Sequence, residues 1–137
     1  MGPMDRKVFL SGGIEGCEDR GLAWRLKAQT LLEKHGFVVE SPLIIAPNME
    51  SPFNEVNEIV HRDLYLLRQC DMILVEYNIP NRCYIGTDVE MVKAHELGMP
   101  IIVWSNEQYR NRVYLRYLAT AILPTLEDAV DYMRRFY

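Results

Sequence analysis

The sequence predicts an α/β protein, a three-layer α/β/α sandwich around a five-stranded parallel sheet in the flavodoxin-like, Rossmann-like order 2-1-3-4-5. Short continuous apolar runs alternate with longer segments of helical periodicity. Continuous apolar runs are typical of strands that are buried on both faces, as parallel strands are. The length of 137 residues suits one domain over 1–137, with 1–6 as a flexible or tag-derived N-terminus.

Turn and cap residues set the bounds of each predicted element. The predicted strands are the apolar runs 7–11, 37–40, 72–77, 101–104 and 121–123. The predicted helices cover residues 21–35, 52–69, 87–97, 106–118 and 125–137. Gly36 and Gly98 are natural helix ends, because glycine adopts the left-handed conformation that follows many helices. Ser51 and Pro52 begin the second helix, where serine caps and proline loses no hydrogen bond.

This strand order predicts where a ligand would bind. Open parallel sheets bind ligands at the carboxyl ends of their strands, at the switch point beside strand 1. The chain segments that reach this point are 11–20, 76–87 and the loop after Trp104.

Composition excludes several functional classes. The net charge of -4 argues against a nucleic-acid surface, which needs a basic stripe. No apolar run approaches the roughly 18 residues of a membrane span. The three cysteines form no C-x-x-C pattern, so neither a disulfide framework nor a metal site is predicted. A reducing, cytoplasmic location is the simplest interpretation.

Asp63 interrupts an apolar stripe on the second predicted helix. The stripe consists of Val56, Ile59, Val60, Leu64 and Leu67. A carboxylate that faces a core is costly unless it is paired. Either Asp63 pairs with an arginine or caps a loop, or this end of the stripe opens into a functional cleft.

Glu90 also has two interpretations. Thr87 and Glu90 form a T-x-x-E pattern, which is typical of a capping box at a helix start. The same segment follows strand 3, where the ligand cleft is predicted. A carboxylate in the first helical turn is kept ionised by the helix N-terminus, and this suits a nucleophile.

A glycine-rich turn follows strand 1. Its residues are Ser11, Gly12, Gly13, Ile14, Glu15 and Gly16. Backbone amides bared by glycines can hold phosphate or sugar oxygens, and a plain tight turn explains the pattern equally well. The turn lacks the lysine of a P-loop.

Taken together, three segments resemble the nucleoside 2-deoxyribosyltransferase family, including its branch of nucleoside 5′-monophosphate N-glycosidases. The segments are VFLSGGIEGCEDR, RDLYLLRQCDMILVEY and GTDVEMVKAHELGMPIIV. The resemblance extends from Lys7 to about Trp104. Positions that match the family pattern in the third segment are Gly86, Glu90, Ala94, Gly98 and Pro100.

The resemblance implies roles for individual residues. Glu90 matches the family's nucleophile, which attacks the anomeric carbon, and Asp63 matches the aspartate that assists the departing base. The implied substrate-binding residues are Phe9, Ser11, Gly12, Gly13, Ile14, Tyr84 and Gly86. The implied partner is a nucleoside or nucleotide, with no metal or organic cofactor. Shared sites in the family imply a homodimer or higher homo-oligomer, to which Tyr114 or Arg116 could contribute.

Three positions depart from the family. Phe9 replaces a tyrosine of many members, which leaves room for a ribose 2′-hydroxyl. Tyr84 stands where transferases carry aspartate and monophosphate hydrolases carry serine. Glu15 replaces an arginine of the monophosphate branch, which weakens the case for a phosphate.

Several functions stay open at this point. Transfer to a second base and hydrolysis by water are both compatible with the resemblance. Phe9 and Tyr84 also allow a non-catalytic nucleotide-binding module of the same fold. A receiver-like signalling domain is disfavoured, because strand 1 is followed by Ser11, Gly12 and Gly13 instead of an acidic cluster.

Overall fold

The computed structural model describes residues 6–14, 17–42 and 56–137. The strands are β1 (Arg6–Ser11), β2 (Phe37–Glu40), β3 (Met72–Tyr77), β4 (Ile101–Ser105) and β5 (Ala121–Leu123). The helices are α1 (Leu22–Glu33), α2 (Val56–Arg68), α3 (Ile85–Glu96), α4 (Glu107–Arg110), α5 (Val113–Leu118) and α6 (Leu126–Phe136).

All five strands form one parallel sheet in the order β2-β1-β3-β4-β5, and the predicted fold is confirmed. In the register, Ser11 lies beside Val75 and Glu76 lies beside Trp104. The carboxyl ends of β1, β3 and β4 therefore meet at one edge of the sheet, as the switch-point rule predicts.

Two separate apolar clusters cover the two faces of the sheet. Alternate strand residues such as Val8 and Leu74 pack against α1 and α6 on one face. Their neighbours, such as Phe9 and Val75, pack against α2, α3 and α5 on the other. Successive strand residues point to opposite faces, so Ser11 belongs with the α2–α3 face and Glu76 with the α1–α6 face.

The structure corrects one detail at the N-terminus. Arg6 was assigned to the flexible terminus, but it is the first residue of β1, and its guanidinium donates a 2.7 Å hydrogen bond to the carbonyl of His35. On the first helix, the apolar side chain of Leu26 is 45% exposed. The buried stripe of α1 instead contains Arg25, Ala28 and Leu32. The terminal segment 1–5 and the predicted helix start at Ser51 lie outside the described residues.

The predicted helix over 106–118 is two shorter helices. Asn106 caps α4 by accepting from the amide of Gln108 at 2.8 Å, and α4 ends at Arg110, with Asn111 as its C-cap. Arg112 is extended, with ψ of 136°, and this interrupts the helical hydrogen bonds before α5 begins. Before the break, the buried Tyr109 donates a 2.7 Å hydrogen bond to the carbonyl of Ile79.

None of the helices in the described parts of the chain has the length and apolar character that a bilayer crossing requires.

Candidate active site

Glu90 is held by the end of β1. The buried hydroxyl of Ser11 donates a hydrogen bond to Glu90 Oε1, which links the first strand to helix α3. Glu90 itself is partly buried. Its carboxyl therefore faces the protein, at the carboxyl edge of the sheet where a ligand was predicted.

The capping-box interpretation of Glu90 is wrong. Helix α3 begins at Ile85, with Tyr84 as its N-cap, so Thr87 lies inside the helix and not at its start. Glu90 is the sixth helical residue and lies beyond the first turn. The sequence had suggested that the helix N-terminus keeps this carboxyl ionised. That effect fades after one turn, so the N-terminus is too far from Glu90 to do so.

Asp63 projects from α2 toward the same region. Its Oδ1 is buried, and it has no hydrogen-bond partner among the described residues. The stripe around Asp63 is only partly as predicted, because Leu67 is fully buried whereas Val60 is 44% exposed. A buried carboxylate oxygen without a hydrogen-bond donor lowers the stability of the folded protein. Its presence is consistent with a group that contacts a ligand.

Burial raises the pKa of both carboxyls. The pKa of Glu90 is raised to about 7, mainly by desolvation and further by the charge of Asp63, while the Ser11 hydrogen bond and Arg25 oppose the rise. Desolvation likewise raises the pKa of Asp63 to about 6, against the charges of Arg62 and Arg25. The charge of Asp63 acts on Glu90, which places the two carboxyls in one electrostatic site.

Arg25 is a buried cation that the sequence analysis missed. Its guanidinium donates to the carbonyls of Gly12 and Gly21, each at 3.1 Å. Burial lowers the pKa of Arg25, and the nearby carboxyls of Glu90 and Glu76 act in the opposite direction. Its burial could have been predicted from its position four residues after Gly21 and three before Ala28, which is the spacing of core residues in a helix.

Glu76 is the second missed residue. It is 2% exposed, although it carries a carboxylate at the end of the most apolar strand. Its oxygens accept from the amides of Gly13 at 3.1 Å and Asn78 at 2.6 Å and from the hydroxyl of Tyr84. These bonds join the loop after β1 to the loop after β3. A glutamate within the run MILVEY was the signal that could have identified it.

The other predicted site residues occupy different environments. Phe9 and Tyr84 are 1% and 3% exposed, and Tyr84 stacks on Tyr77 with ring centroids 4.1 Å apart. Ile14 is partly buried, and Gly86 is exposed, with open space where a Cβ would stand. The structure thus brings Ser11, Glu90 and Asp63 together, while Tyr84 faces Glu76.

A cavity of about 400 Å³ opens beside this site. Its walls come from Cys17, Glu18, Asp19, Gly21, Ala23, Trp24, Glu76, Asn78, Ile79, Arg82 and Trp104. The lining includes residues of the predicted segments 11–20 and 76–87, but also Gly21, Ala23 and Trp24 around the start of α1, and no residue of the loop after Trp104. Glu90 and Asp63 are not among the lining residues, so the cavity is distinct from the pair of carboxyls.

Three solved structures share this fold. The 2-deoxyribosyltransferase of Bacillus psychrosaccharolyticus superposes with a TM-score of 0.74 at 21% identity, over 92% of this chain and 91% of that chain. The CMP N-glycosidase of Clostridium botulinum gives 0.63 at 17% identity, over 96% and 100%. A conserved protein of Enterococcus faecalis V583 gives 0.73 at 11% identity, over 97% and 99%. The predicted likeness to the nucleoside 2-deoxyribosyltransferase family is confirmed in the fold.

Among curated proteins, no sequence matches this chain. One family model does match, over residues 6–103, and its description is a domain of unknown function, DUF4406. Because this match covers well over half of the 137 residues, the chain belongs to the DUF4406 family.

Proposed function

We propose that the protein cleaves the N-glycosidic bond of a nucleoside or nucleoside 5′-monophosphate, with Glu90 as nucleophile and Asp63 as proton donor. The observation that supports this most is the partly buried carboxyl of Glu90, which Ser11 holds beside a second desolvated carboxyl. Two such carboxyls are the groups that glycosidic cleavage through a covalent intermediate requires. Two of the solved structures with this fold are named as a 2-deoxyribosyltransferase and a CMP N-glycosidase.

In the first step, ionised Glu90 attacks C1′ and forms a glycosyl ester. The bond between C1′ and the base nitrogen breaks, its electron pair goes to the nitrogen, and protonated Asp63 supplies a proton to the base. Cleavage passes through an oxocarbenium-like state, which the carboxylate of Glu90 stabilises before it traps the sugar. Ser11 keeps the attacking carboxyl in place through its hydrogen bond.

In the second step, Asp63 acts as a base. It takes a proton from a second nucleobase or from water, whose nitrogen or oxygen attacks C1′ and releases Glu90 as carboxylate. The cycle needs one proton in the pair, carried by Asp63 when the substrate reacts. Because the pKa of Glu90, about 7, is higher than that of Asp63, about 6, the proton of the free pair lies mostly on Glu90, and the reacting form is the smaller fraction in which Asp63 carries it.

Product analysis tests the proposal. The protein is incubated with deoxycytidine, cytidine and their 5′-monophosphates, with and without free adenine, and products are separated by chromatography. A new adenine nucleoside or nucleotide indicates transfer, whereas free sugar or sugar phosphate indicates hydrolysis. Ligand binding without any product from the full panel of bases and sugars would instead establish a non-catalytic nucleotide-binding module.

We also propose that the protein is a homo-oligomer that associates through helices α3 and α5. Large apolar residues on these helices are exposed, namely Ile85, Val89, Val92, Val113, Tyr114 and Tyr117. The last two are 80% and 67% exposed. A concentration of exposed apolar side chains on neighbouring helices favours a protein interface.

Light scattering after size-exclusion chromatography tests the interface. Tyr114→Glu places a charge on the proposed interface and is expected to shift the protein to monomer, because burying an unpaired charge is costly. Phe136→Glu is the matched control, since Phe136 is 62% exposed on α6, which lies on the opposite face of the sheet. A monomeric parent, or equal dissociation in both variants, would contradict the interface.

A further inference from the structure

The cavity beside the Glu90 site has no part in the proposed reaction. It lies on the α1–α6 side of the sheet, because Trp24 and Trp104 pack with the cluster on that face. We propose that it is a second, separate binding site for a planar nitrogen heterocycle that carries both acceptor atoms and an amino group. The proposal stands independently of the reaction assigned to Glu90.

The turn after β1 separates the cavity from the pair of carboxyls. A Cβ added at Gly12 would stand 2.9 Å from Glu76 and 2.9 Å from the Trp24 ring, so no space remains at that point. Beyond the turn, Ser11 reaches Glu90 on the other face. A ligand in the cavity is therefore screened from the reacting carboxyls by packed protein atoms.

Two tryptophans form an aromatic corner in the cavity wall. The rings of Trp24 and Trp104 meet edge to face, with centroids 5.8 Å apart and an angle of 66°. Both indole Nε1 atoms are buried without a hydrogen-bond partner among the described residues. Each unpaired buried donor costs about 1–3 kcal/mol, so an acceptor atom within its reach would be stabilising. Aromatic walls favour a flat ring against them.

The remaining lining supplies acceptors for an amino group. Glu76 and Glu18 line the cavity, and Glu76 Oε1 accepts from the Gly13 amide at 3.1 Å. Asp19 is already committed to α1, because its carboxylate accepts from the amides of Gly21 and Ala23. A volume of about 400 Å³ lies within the range of small-molecule sites. Adenine and cytosine carry the required combination of ring acceptors and exocyclic amine.

Intrinsic fluorescence reports on this cavity, because Trp24 and Trp104 are the two tryptophans of the chain and both line it. The full-length protein is titrated with free adenine and, separately, with free cytosine, with excitation restricted to tryptophan. A saturable change in emission with at least one of the two bases is expected. No saturable change with either base would overturn the proposal.

Two variants and one control test whether the change in tryptophan emission comes from a base bound in the cavity. Ala23→Leu puts a larger side chain on the exposed cavity wall of α1 and is expected to weaken binding at least tenfold. Thr30→Leu, at an exposed position of α1 outside the cavity, should bind like the parent. Glu90→Gln should also bind like the parent. Unchanged affinity in Ala23→Leu, or lost affinity in Glu90→Gln, would overturn the assignment to this cavity, whatever the products of the reaction assay.

Discussion

Replacing Glu90 with glutamine is expected to lower turnover of the N-glycosidic substrate by at least about 1,000-fold, because an amide cannot form the glycosyl ester. The substitution keeps the size of the side chain, and its amide oxygen can still accept from the hydroxyl of Ser11. Folding should therefore persist, and the loss should appear in kcat more than in binding. Initial rates of base release at saturating substrate measure the effect.

A matched control lies on the same helix. Glu96→Gln alters an exposed carboxylate at the end of α3, paired with Lys93 at 3.4 Å, and should leave turnover unchanged. Acid-quenched intact mass of the parent should show an added sugar or sugar phosphate that Glu90→Gln lacks. If Glu90→Gln kept more than a tenth of parental turnover, the nucleophile would have to be another group.

Stability is expected to fall between pH 5 and 8, whereas activity is expected to pass through a maximum. Attack requires ionised Glu90 and protonated Asp63, so kcat/KM should follow a bell-shaped profile that peaks between about pH 6 and 7. The folded protein holds a proton on Glu90 up to about pH 7, whereas the unfolded chain releases it near 4.5. Within that window the native state binds more protons, so the free energy of unfolding falls as pH rises, by on the order of 3 kcal/mol for this group.

Urea unfolding at pH 5, 6, 7 and 8 measures the stability change. Glu90→Gln removes the titrating group, so its free energy of unfolding should depend much less on pH. The variant should therefore be more stable than the parent at pH 8. Glu33→Gln changes an exposed carboxylate of α1 and should keep the parental slope. Parallel curves for parent and Glu90→Gln would mean that Glu90 is ionised throughout and is not desolvated.

The strands were predictable because their signal is local. The bounds of β2, β3 and β5 agree with the apolar runs 37–40, 72–77 and 121–123. These runs must be continuous, since a parallel strand covered by helices on both faces has no solvated side. The break at Arg112 was not predictable in this way, because no proline or glycine marks it in the sequence.

Part of the candidate site was also predictable. Ser11 and Glu90 lie 79 residues apart, and the strand order is what indicated that they share one edge. The environment of Glu90 was not predictable, because desolvation depends on the packing around α3 and not on the T-x-x-E pattern. Arg25 and Glu76 were missed for the same reason, since a charge is assigned to solvent unless its partners are known.

Arg25 has a consequence for how ligand preference could diverge among related proteins. By donating to the carbonyls of both Gly12 and Gly21, it closes the two ends of the intervening loop on one guanidinium. A loop closed at its base can change in sequence, or even in length, with little effect on the strand and helix that flank it. New specificities could therefore evolve within this segment while the reaction centre beneath it stays intact.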